Sequence, residues 1–348
     1  MIIKKKIKPE DISFLHNKKT LYISDFRSIG ESMDYEIPTM WKYENLFPWI
    51  LTNQNVVVNE DGKNLNYLNK NNLILIYKDS DSKKSIFERI NDNIYSEVLD
   101  LFVAIPHPQA DLFAQKNGLK LNYNYSDFLR RNDKFMQKEL FANLSPKWFK
   151  IKSFEDIDFL LVNNRRGFIK RRQGSGGFTV FEISKIKDNK NFELLFRNNP
   201  FDWYFEDYIE GNPFSIQCVK NKNDTIIFGF SEQQITDGHY FIGSKILSLD
   251  KIQNNLFQAL KDCIDKLSPL LNDYNGFFGI DFIIDKKNNP QILEANIRMT
   301  AATIPTLITN YFGRNEALFM EDIRLSEIKG GDLVLTCHND EVDFIRFF

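Results

Sequence analysis

The sequence predicts an α/β unit followed by a region that contains a hairpin of two strands. Residues 1–120 alternate short β-like runs at 20–24, 73–77 and 101–105 with polar and helical stretches, a pattern typical of an α/β domain. Residues 276–298 instead read as two neighbouring strands joined by a turn. At roughly 100 to 200 residues per domain, a chain of 348 residues is expected to form two or three domains.

The α/β unit contains one further predicted helix and strand. Residues 108–118 show helical spacing of apolar residues and end in Asn-Gly, a common helix stop, before the strand-like segment LKLNY. The unit has no GxGxxG loop, so it predicts no dinucleotide site. From these patterns we expect domains at residues 1–120, 121–205 and 206–348.

The composition excludes several classes of function. The chain has 45 Lys and Arg against 47 Asp and Glu, a net charge of −2, so nucleic acid is not an expected partner. Cys218, Cys263 and Cys337 are isolated, which argues against a disulfide framework or a thiolate zinc site and fits a reducing cytosol. No apolar run approaches the roughly 18 residues of a membrane span, and no signal peptide follows Met1. A cytoplasmic protein without a membrane partner is expected.

A glycine-rich loop gives the first chemical signal. A β-like approach ends at Lys170, and the loop after it contains Gly174, Ser175, Gly176 and Gly177. Glycines let backbone amides approach an anion closely, and the lysine can neutralise phosphate charge. The spacing differs from GxxxxGK[ST], which excludes a Walker loop. A flexible hairpin without a ligand has the same pattern, and this segment alone does not decide between the two.

The segment GFFGIDFIIDKKNNPQILEANIR contains a sharper signal. If the predicted hairpin is symmetric about residues 287 and 288, Asp281 lies opposite Glu294, and Asn296 shares its face. Two facing carboxylates with β-carbons roughly 4.5 to 5.5 Å apart repel each other, so a positive group should lie between them. Two carboxylates and an amide oxygen suit Mg²⁺ or Mn²⁺ better than zinc. The alternative is an edge hairpin whose acids face solvent.

Arg298 follows four residues after Glu294. From this position it is expected to project from the same side of the hairpin toward a transferring phosphate or a carboxylate substrate. A surface salt bridge fits the spacing equally well.

The segment WYFEDYIEGNPFSIQCV, residues 203–219, reads as an aromatic-rich strand, a short acidic crossing and a second strand. Backbone groups in such a crossing can hydrogen-bond the edge of a purine while Tyr208 and Ile209 pack against its face. Taken alone, the segment fits an ordinary connection with acidic residues facing water better.

Taken in order, these motifs resemble the ATP-grasp superfamily, whose members bind ATP between two α+β subdomains. The matching segments are NDKFMQK with Lys134, FIKRRQGSGGF with Lys170, EDYIEG from Glu206, and the pair GIDFII and LEANIR. The resemblance covers about residues 105–310. The upstream unit looks like the domain that precedes the ATP-grasp fold in the carbamoyl-phosphate-synthetase and biotin-carboxylase-like branch, so an N-terminal α/β pre-ATP-grasp domain is implied.

The resemblance implies a role for each matching position. ATP contacts are implied for two lysines, a mobile flap and an adenine hinge, namely Lys134, Lys170, Gly174, Ser175, Gly176, Gly177, Glu206, Tyr208 and Ile209. One or two Mg²⁺ or Mn²⁺ ions are implied at Asp281, Glu294 and Asn296. Catalytic roles at the phosphoryl and acyl-phosphate groups are implied for Lys170 and Arg298.

Two positions stay open within the resemblance. Pro213 stands where several relatives place a polar ribose-binding side chain, so the ribose contact is unassigned, with Glu210 as a candidate. After Arg298, Thr300 and Thr303 either line the substrate site next to the phosphate or begin a buried helix, and both readings stay open.

The implied reaction is the ATP-dependent ligation of a small-molecule carboxylate and an amine. The carboxylate takes the γ-phosphate to give an acyl phosphate, and the amine displaces phosphate to form an amide or peptide bond between amino acids or small acids. A homodimer stays open. The alternatives are a carboxylase-like or purine-pathway enzyme and a non-catalytic nucleotide-binding partner. The intact set of site residues argues against the last, because a binding module need not keep both metal carboxylates.

Overall fold

The computed structural model describes residues 1–7, 11–12, 19–23, 55–59, 74–77, 87, 98–187, 189–221, 224–237, 239–338 and 341–348. Within these ranges the strands form three sheets of five, four and nine strands. The helices in the same ranges are all too short or too polar to cross a membrane.

The five-stranded sheet is parallel and lies in the N-terminal part of the chain. After β1 (Ile2–Lys4), which belongs to another sheet, its strands are β2 (Thr20–Ile23), β3 (Asn55–Asn59), β4 (Ile74–Tyr77), β5 (Asp100–Val103) and β6 (Lys120–Leu121), in the order β4-β3-β2-β5-β6. Helix α1 (Pro108–Lys116) follows β5 and buries Ala110 and Phe113 in the same core as the sheet. The parallel pairing confirms the α/β prediction, and the three predicted strands lie within two residues of the observed ones.

The four-stranded sheet is antiparallel. Its strands are β7 (Trp148–Ile151), β8 (Gly167–Arg171), β9 (Val180–Glu182) and β10 (Trp203–Asp207), in the order β7-β10-β8-β9. Helices α2 (Tyr125–Arg131) and α3 (Lys134–Phe141) precede it, and α4 (Phe154–Val162) and α5 (Lys190–Asn198) lie between its strands. One core holds this sheet together, because Trp203 and Phe205 of β10 pack with Phe192 and Phe196 of α5.

The nine-stranded sheet forms most of the C-terminal part. Its main strands are β11 (Gly211–Asn221), β12 (Asp224–Thr236), β13 (Tyr240–Leu247), β14 (Gly276–Asp285), β15 (Pro290–Asn296), β16 (Ala317–Arg324), β17 (Leu333–His338) and β18 (Glu341–Phe347), in the order β15-β14-β11-β12-β13-β16-β18-β17. β1 joins it by parallel pairing with β12. The associated helices are α6 (Asn254–Lys266), α7 (Ser268–Leu271) and α8 (Thr303–Tyr311). Apart from β1, the sheets follow one another along the chain, and the boundaries of the three domains stay a prediction.

Helix α3 is fixed against the edge strand β15. The Gln137 amide donates to the carbonyl oxygen of Ala295 (2.6 Å) and accepts from its N–H (2.9 Å), so one side chain pairs with the edge as a neighbouring strand does. Asp133 caps the helix by accepting from the N–H groups of Phe135 and Met136. This docking places Lys134 and the next turn of the helix beside the hairpin β14–β15.

Candidate active site

A cavity of about 290 Å³ is lined by residues of both the four-stranded and the nine-stranded sheets. The apolar lining residues Phe168 and Ile283 lie near the connection from β10 to β11. Phe168 pairs with Glu206 near the end of β10, and Ile283 pairs with Pro213 near the start of β11. The rest of the lining includes three cationic and five acidic side chains: Lys134, Lys170, Arg298, Glu206, Asp207, Asp281, Glu294 and Glu321.

The hairpin β14–β15 has the predicted register. Asp281 lies opposite Glu294, and Gly279 lies opposite Asn296. The register shifts just after Asp281, where β15 carries one extra residue, so symmetry about the turn holds only on the far side of this bulge. The Asn296 amide donates to Asp281 (2.9 Å) and to Glu294 (3.3 Å). Both carboxylates line the cavity, which excludes the solvent-facing edge hairpin.

We call Asp281, Glu294 and Lys134 the acidic cluster, since it holds two carboxylates and one ammonium. The Lys134 ammonium lies 2.7 Å from Glu294 Oε2, the positive neighbour that the facing carboxylates require. Burial by itself would raise the pKa of Glu294, but the charge and hydrogen bond of Lys134, together with Lys170 and Asn296, outweigh burial and lower this pKa to about 2. Burial and the charge of Glu294 raise the pKa of Asp281 to about 7, so Asp281 is the carboxylate that still lacks compensation.

Arg298 is buried beside this cluster. Its guanidinium donates to Asn296 Oδ1 (2.9 Å), to the carbonyl oxygen of Met299 (3.0 Å) and to Ser175 Oγ (2.8 Å). Burial lowers its pKa. Because the guanidinium lines the cavity and bonds only neutral groups in these three contacts, the surface salt bridge is excluded and the charge faces a site suited to an anion.

The glycine-rich loop connects β8 and β9, an antiparallel pair. Ser175, Gly176 and Gly177 line the cavity, whereas Gly174 lies behind them against Thr179. Gly177 has φ +83° and lies so close to the carbonyl oxygen of His239 that a β-carbon would collide with it. The loop thus contacts the nine-stranded sheet as well as Arg298, and it lies across the cavity.

We call Lys138, Glu206 and Lys170 the basic cluster, since it holds two ammoniums and one carboxylate. Glu206 Oε1 pairs with Lys170 and Oε2 pairs with Lys138. Burial alone would raise the pKa of Glu206, but the two lysines outweigh it and lower this pKa. Burial lowers the pKa of Lys138 to about 8. Lys170 and Glu206 line the cavity, and Lys138 lies behind them.

Only some of the residues predicted to bind the adenine and ribose line the cavity. Ile209 lines it. Tyr208 is 41% exposed, and its ring is tilted against that of Phe168 and lies under the Arg166 guanidinium. Glu210 pairs with Lys286 at 2.7 Å on the surface. Tyr208 and Glu210 therefore lie outside the lining, and their assignment to the nucleotide stays a prediction.

The two threonines after Arg298 take different positions. Thr300 lines the cavity, and Thr303 is fully buried at the start of α8. Both hydroxyls donate to Gln217 Oε1, at 2.7 and 2.9 Å. Both open readings therefore hold in part, since the same short segment lines the cavity and begins a buried helix.

Three polar residues of the site were missed by the sequence analysis. Lys138 follows Lys134 by four residues, so helical spacing was an available signal. Gln217 binds the two threonines, and Gln233 donates to Asp281 (3.0 Å). Gln217 lies within the segment at residues 203–219, but nothing there distinguishes it, and only the three-dimensional pairing brings the two glutamines to the site.

The acidic cluster and Asn296 fit a magnesium ion. In the described part of the chain no three His, Cys, Asp or Glu side chains gather into a metal cluster. Mg²⁺ needs only one or two carboxylates when waters and substrate phosphates supply the remaining ligands. The pairing of Asp281 with Glu294 across the hairpin supports the fit, because a divalent cation between the carboxylates would remove their repulsion.

The fold is that of an ATP-grasp protein, with a cavity between the four-stranded and the nine-stranded sheets. Residues 132–302 match the family of the ATP-grasp domain. This match confirms the resemblance to the ATP-grasp superfamily that the sequence analysis stated. No curated protein matches the sequence.

Several solved structures share this fold. Carboxyaminoimidazole ribonucleotide synthase of Aspergillus clavatus, in complex with ATP, has a TM-score of 0.60 at 10% identity over 96% of this chain and 94% of its own. Biotin carboxylase of Campylobacter jejuni has a TM-score of 0.63 at 12% identity, covering 97% and 88%. L-amino acid ligase of Bacillus licheniformis has a TM-score of 0.54 at 11% identity, covering 91% and 82%. At these identities the likeness concerns the fold.

Proposed function

We propose that this chain is an ATP-dependent carboxylate–amine ligase that joins amino acids or small acids and releases ADP and phosphate. One observation carries the proposal: a single cavity is lined by the acidic cluster, by Lys170 and Glu206 of the basic cluster, and by Arg298. The cavity has an excess of negative charge at the acidic cluster and an excess of positive charge at the basic cluster, which suits a metal–nucleotide complex and a carboxylate substrate.

The nucleotide is assigned to the cavity by the chemistry of its lining. Phe168, Ile209 and Ile283 offer an apolar surface to a purine near the β10–β11 connection. Lys134 and Lys170 offer ammoniums to its phosphates. Gly176 and Gly177, at positive φ, leave room for backbone N–H groups to approach the same phosphates.

The metal is assigned to Asp281, Glu294 and Asn296. When bound there, Mg²⁺ would offset negative charge on the phosphates during transfer. Asp281 and Glu294 would hold the ion, and Gln233 and Asn296 fix Asp281 through hydrogen bonds of 3.0 and 2.9 Å.

The reaction has two steps. An oxygen of the substrate carboxylate attacks the γ-phosphorus, the bond from this phosphorus to the bridging oxygen breaks, and ADP leaves. The amine nitrogen then attacks the acyl carbon, the carbon–oxygen bond to the phosphate breaks, and phosphate leaves. Arg298 holds and neutralises the carboxylate and then the acyl phosphate, while the loop at Ser175 to Gly177 excludes water that would hydrolyse it.

The similar structures support nucleotide chemistry without selecting a substrate. They include an L-amino acid ligase, a biotin carboxylase and a carboxyaminoimidazole ribonucleotide synthase. The amine ligase is preferred because Thr300, Gln233 and Glu321 give the cavity lining hydrogen-bonding and acidic groups that suit an amine.

The test is ADP release with Mg-ATP across a matrix of carboxylates and amines, with bicarbonate as one of the acids. We expect release only where an acid and an amine are both present, and none from the Glu294→Gln variant. Release with bicarbonate alone as the acid would favour the carboxylase-like alternative. Tight ATP binding without release in any mixture would favour a nucleotide-binding partner.

A further inference from the structure

Lys138 is a buried charged residue that the reaction does not use directly. Its side chain is 1% exposed, and it is held by Glu206 Oε2 and by the carbonyl oxygen of Ile292 at 3.4 Å. Lys138 is absent from the cavity lining, whereas its partner Glu206 is part of it. Any effect on a ligand must therefore pass through Glu206.

Glu206 connects Lys138 to Lys170. The carboxylate is 2% exposed and uses one oxygen for each lysine. Lys170 is more open, at 12%, and its ammonium borders the cavity. The three groups come from three elements, α3, β8 and β10, so the carboxylate is fixed from both sides and in turn fixes the Lys170 ammonium.

The charge balance of the basic cluster depends on Lys138. With two ammoniums and one carboxylate the cluster has a net charge of +1. Without Lys138 it would be a neutral pair, and the Glu206 carboxylate directly behind Lys170 would repel a phosphate that approaches this lysine. Charges separated by a few ångströms in a buried site are weakly screened, so the loss would be felt at the phosphate.

We propose that Lys138 is a positioning residue for Lys170: it binds the far oxygen of Glu206, which leaves a net positive charge beside the cavity and fixes the Lys170 ammonium where it meets nucleotide phosphates. The inference rests on the proposed function, because it requires that the cavity binds ATP. It adds a residue that lies outside the cavity lining and that the sequence analysis quoted at the end of NDKFMQK without giving it a role.

The first test compares Lys138→Met with the wild-type chain. The probe is the non-hydrolysable ATP analogue AMP-PNP with Mg²⁺, measured by calorimetry, together with steady-state kinetics in the acid–amine assay. We expect a dissociation constant raised about tenfold or more, which is about 1.4 kcal/mol. KM for ATP should rise with it, while kcat at saturating ATP and KM for the acid stay within about threefold. The matched control is Lys150→Met. Lys150 is an exposed lysine that pairs with Glu139, a residue of the same helix as Lys138, and this variant should bind AMP-PNP as the wild type does.

A second variant separates charge balance from simple loss of packing. In Lys138→Met/Glu206→Gln the carboxylate behind Lys170 is also neutral, so the cluster regains its net charge of +1 and AMP-PNP affinity should recover to within about threefold of the wild type. A structural role for Lys138 would instead leave the double variant as weak as the single one, or weaker. The comparison of the double variant with the wild type decides the question even if Lys138→Met does not fold.

The outcomes distinguish this inference from the proposed function. If the wild-type chain does not bind Mg-AMP-PNP, the proposed function fails and this inference with it. If the wild-type chain binds and Lys138→Met binds equally well, only the role of Lys138 is overturned. A double variant Lys138→Met/Glu206→Gln that binds Mg-AMP-PNP tenfold more weakly than the wild type would overturn it as well.

Discussion

Helix α3 supplies one lysine to each of two ionic clusters, and the clusters have opposite charge. Lys134 joins the two carboxylates of the acidic cluster, which leaves that cluster one negative charge in excess. Lys138, one turn later, joins the basic cluster, which has one positive charge in excess. The same residue type at spacing i and i+4 thus serves two opposite environments. The comparison teaches that the partners on the neighbouring strands, and not the lysines, decide which ligand each cluster suits.

The two clusters also differ in how fully their carboxylates are paired with positive groups. The basic cluster is closed on the side away from the cavity, and both oxygens of its carboxylate are paired. The acidic cluster pairs Glu294 well but leaves Asp281 with a raised pKa. A cluster with an uncompensated carboxylate gains from a bound cation, and a cluster with an excess ammonium gains from a bound phosphate.

The largest expected effect comes from removing the negative excess of the acidic cluster. Glu294→Gln keeps the shape of the side chain but removes a metal ligand and the partner of Lys134. We expect turnover to fall by about 10³-fold or more, a loss of about 4 kcal/mol in transition-state stabilisation, with the melting temperature changed by only a few degrees. The readout is ADP release, with Glu139→Gln on the exposed side of α3 as control. Wild-type activity in Glu294→Gln would refute the metal assignment.

Removing the ammonium of the basic cluster that borders the cavity should have the next largest effect. Lys170→Met takes away a charged donor to phosphate, which is worth about 1.5 to 3 kcal/mol, so the dissociation constant for Mg-AMP-PNP should rise about 10- to 100-fold. Lys185→Met, an exposed lysine in the segment after β9, is the control. A change of less than about twofold in Lys170→Met would place the phosphates elsewhere in the cavity.

The raised pKa of Asp281 predicts how the acidic cluster responds to pH. An acid with a pKa near 7 is mostly neutral below pH 7 and mostly ionised above it, and Mg²⁺ requires the ionised form. The Mg²⁺ concentration for half-maximal activity should therefore be flat above about pH 8 and rise roughly tenfold per unit below pH 7. Asp281→Asn should bind Mg²⁺ weakly and lose this pH dependence. The same slope in Asp281→Asn would assign the titration to another group.

The prediction with the smallest expected effect on catalysis tests whether Thr303 belongs to the substrate site. Thr303→Val removes a buried hydroxyl that donates to Gln217 and accepts from the Thr300 N–H, which should lower the free energy of unfolding by about 1 to 3 kcal/mol. KM for both substrates should stay within about twofold, because Thr303 is fully buried. Thr309→Val, on the same helix, removes a buried bond to a backbone carbonyl and is the matched control. A large rise in the substrate KM of Thr303→Val alone would place this residue in the substrate site.

The register of the metal hairpin was predictable because a strand has a period of two and a short turn fixes the pairing. Asp281 therefore faces Glu294 as the sequence predicted, and only the bulge at Leu293 was beyond the pattern. The parallel N-terminal sheet was predictable from its alternation of strands and helices.

Other parts of the site could not be predicted because they depend on long-range packing. The direction of Tyr208 and Glu210 is set in a crossing with no regular period, where Arg166 and Lys286 draw the two side chains outward. The role of Lys138 depends on β10 passing behind α3, which the spacing of one helix does not reveal.

The central claim is that the cavity activates a carboxylate by phosphorylation, and oxygen transfer tests it most directly. The acid that supports ADP release is labelled with ¹⁸O in its carboxylate, and the products are analysed by mass spectrometry. An acyl phosphate requires one labelled oxygen in each released phosphate, with ADP as the nucleotide product. Unlabelled phosphate, or AMP with pyrophosphate, would contradict the account.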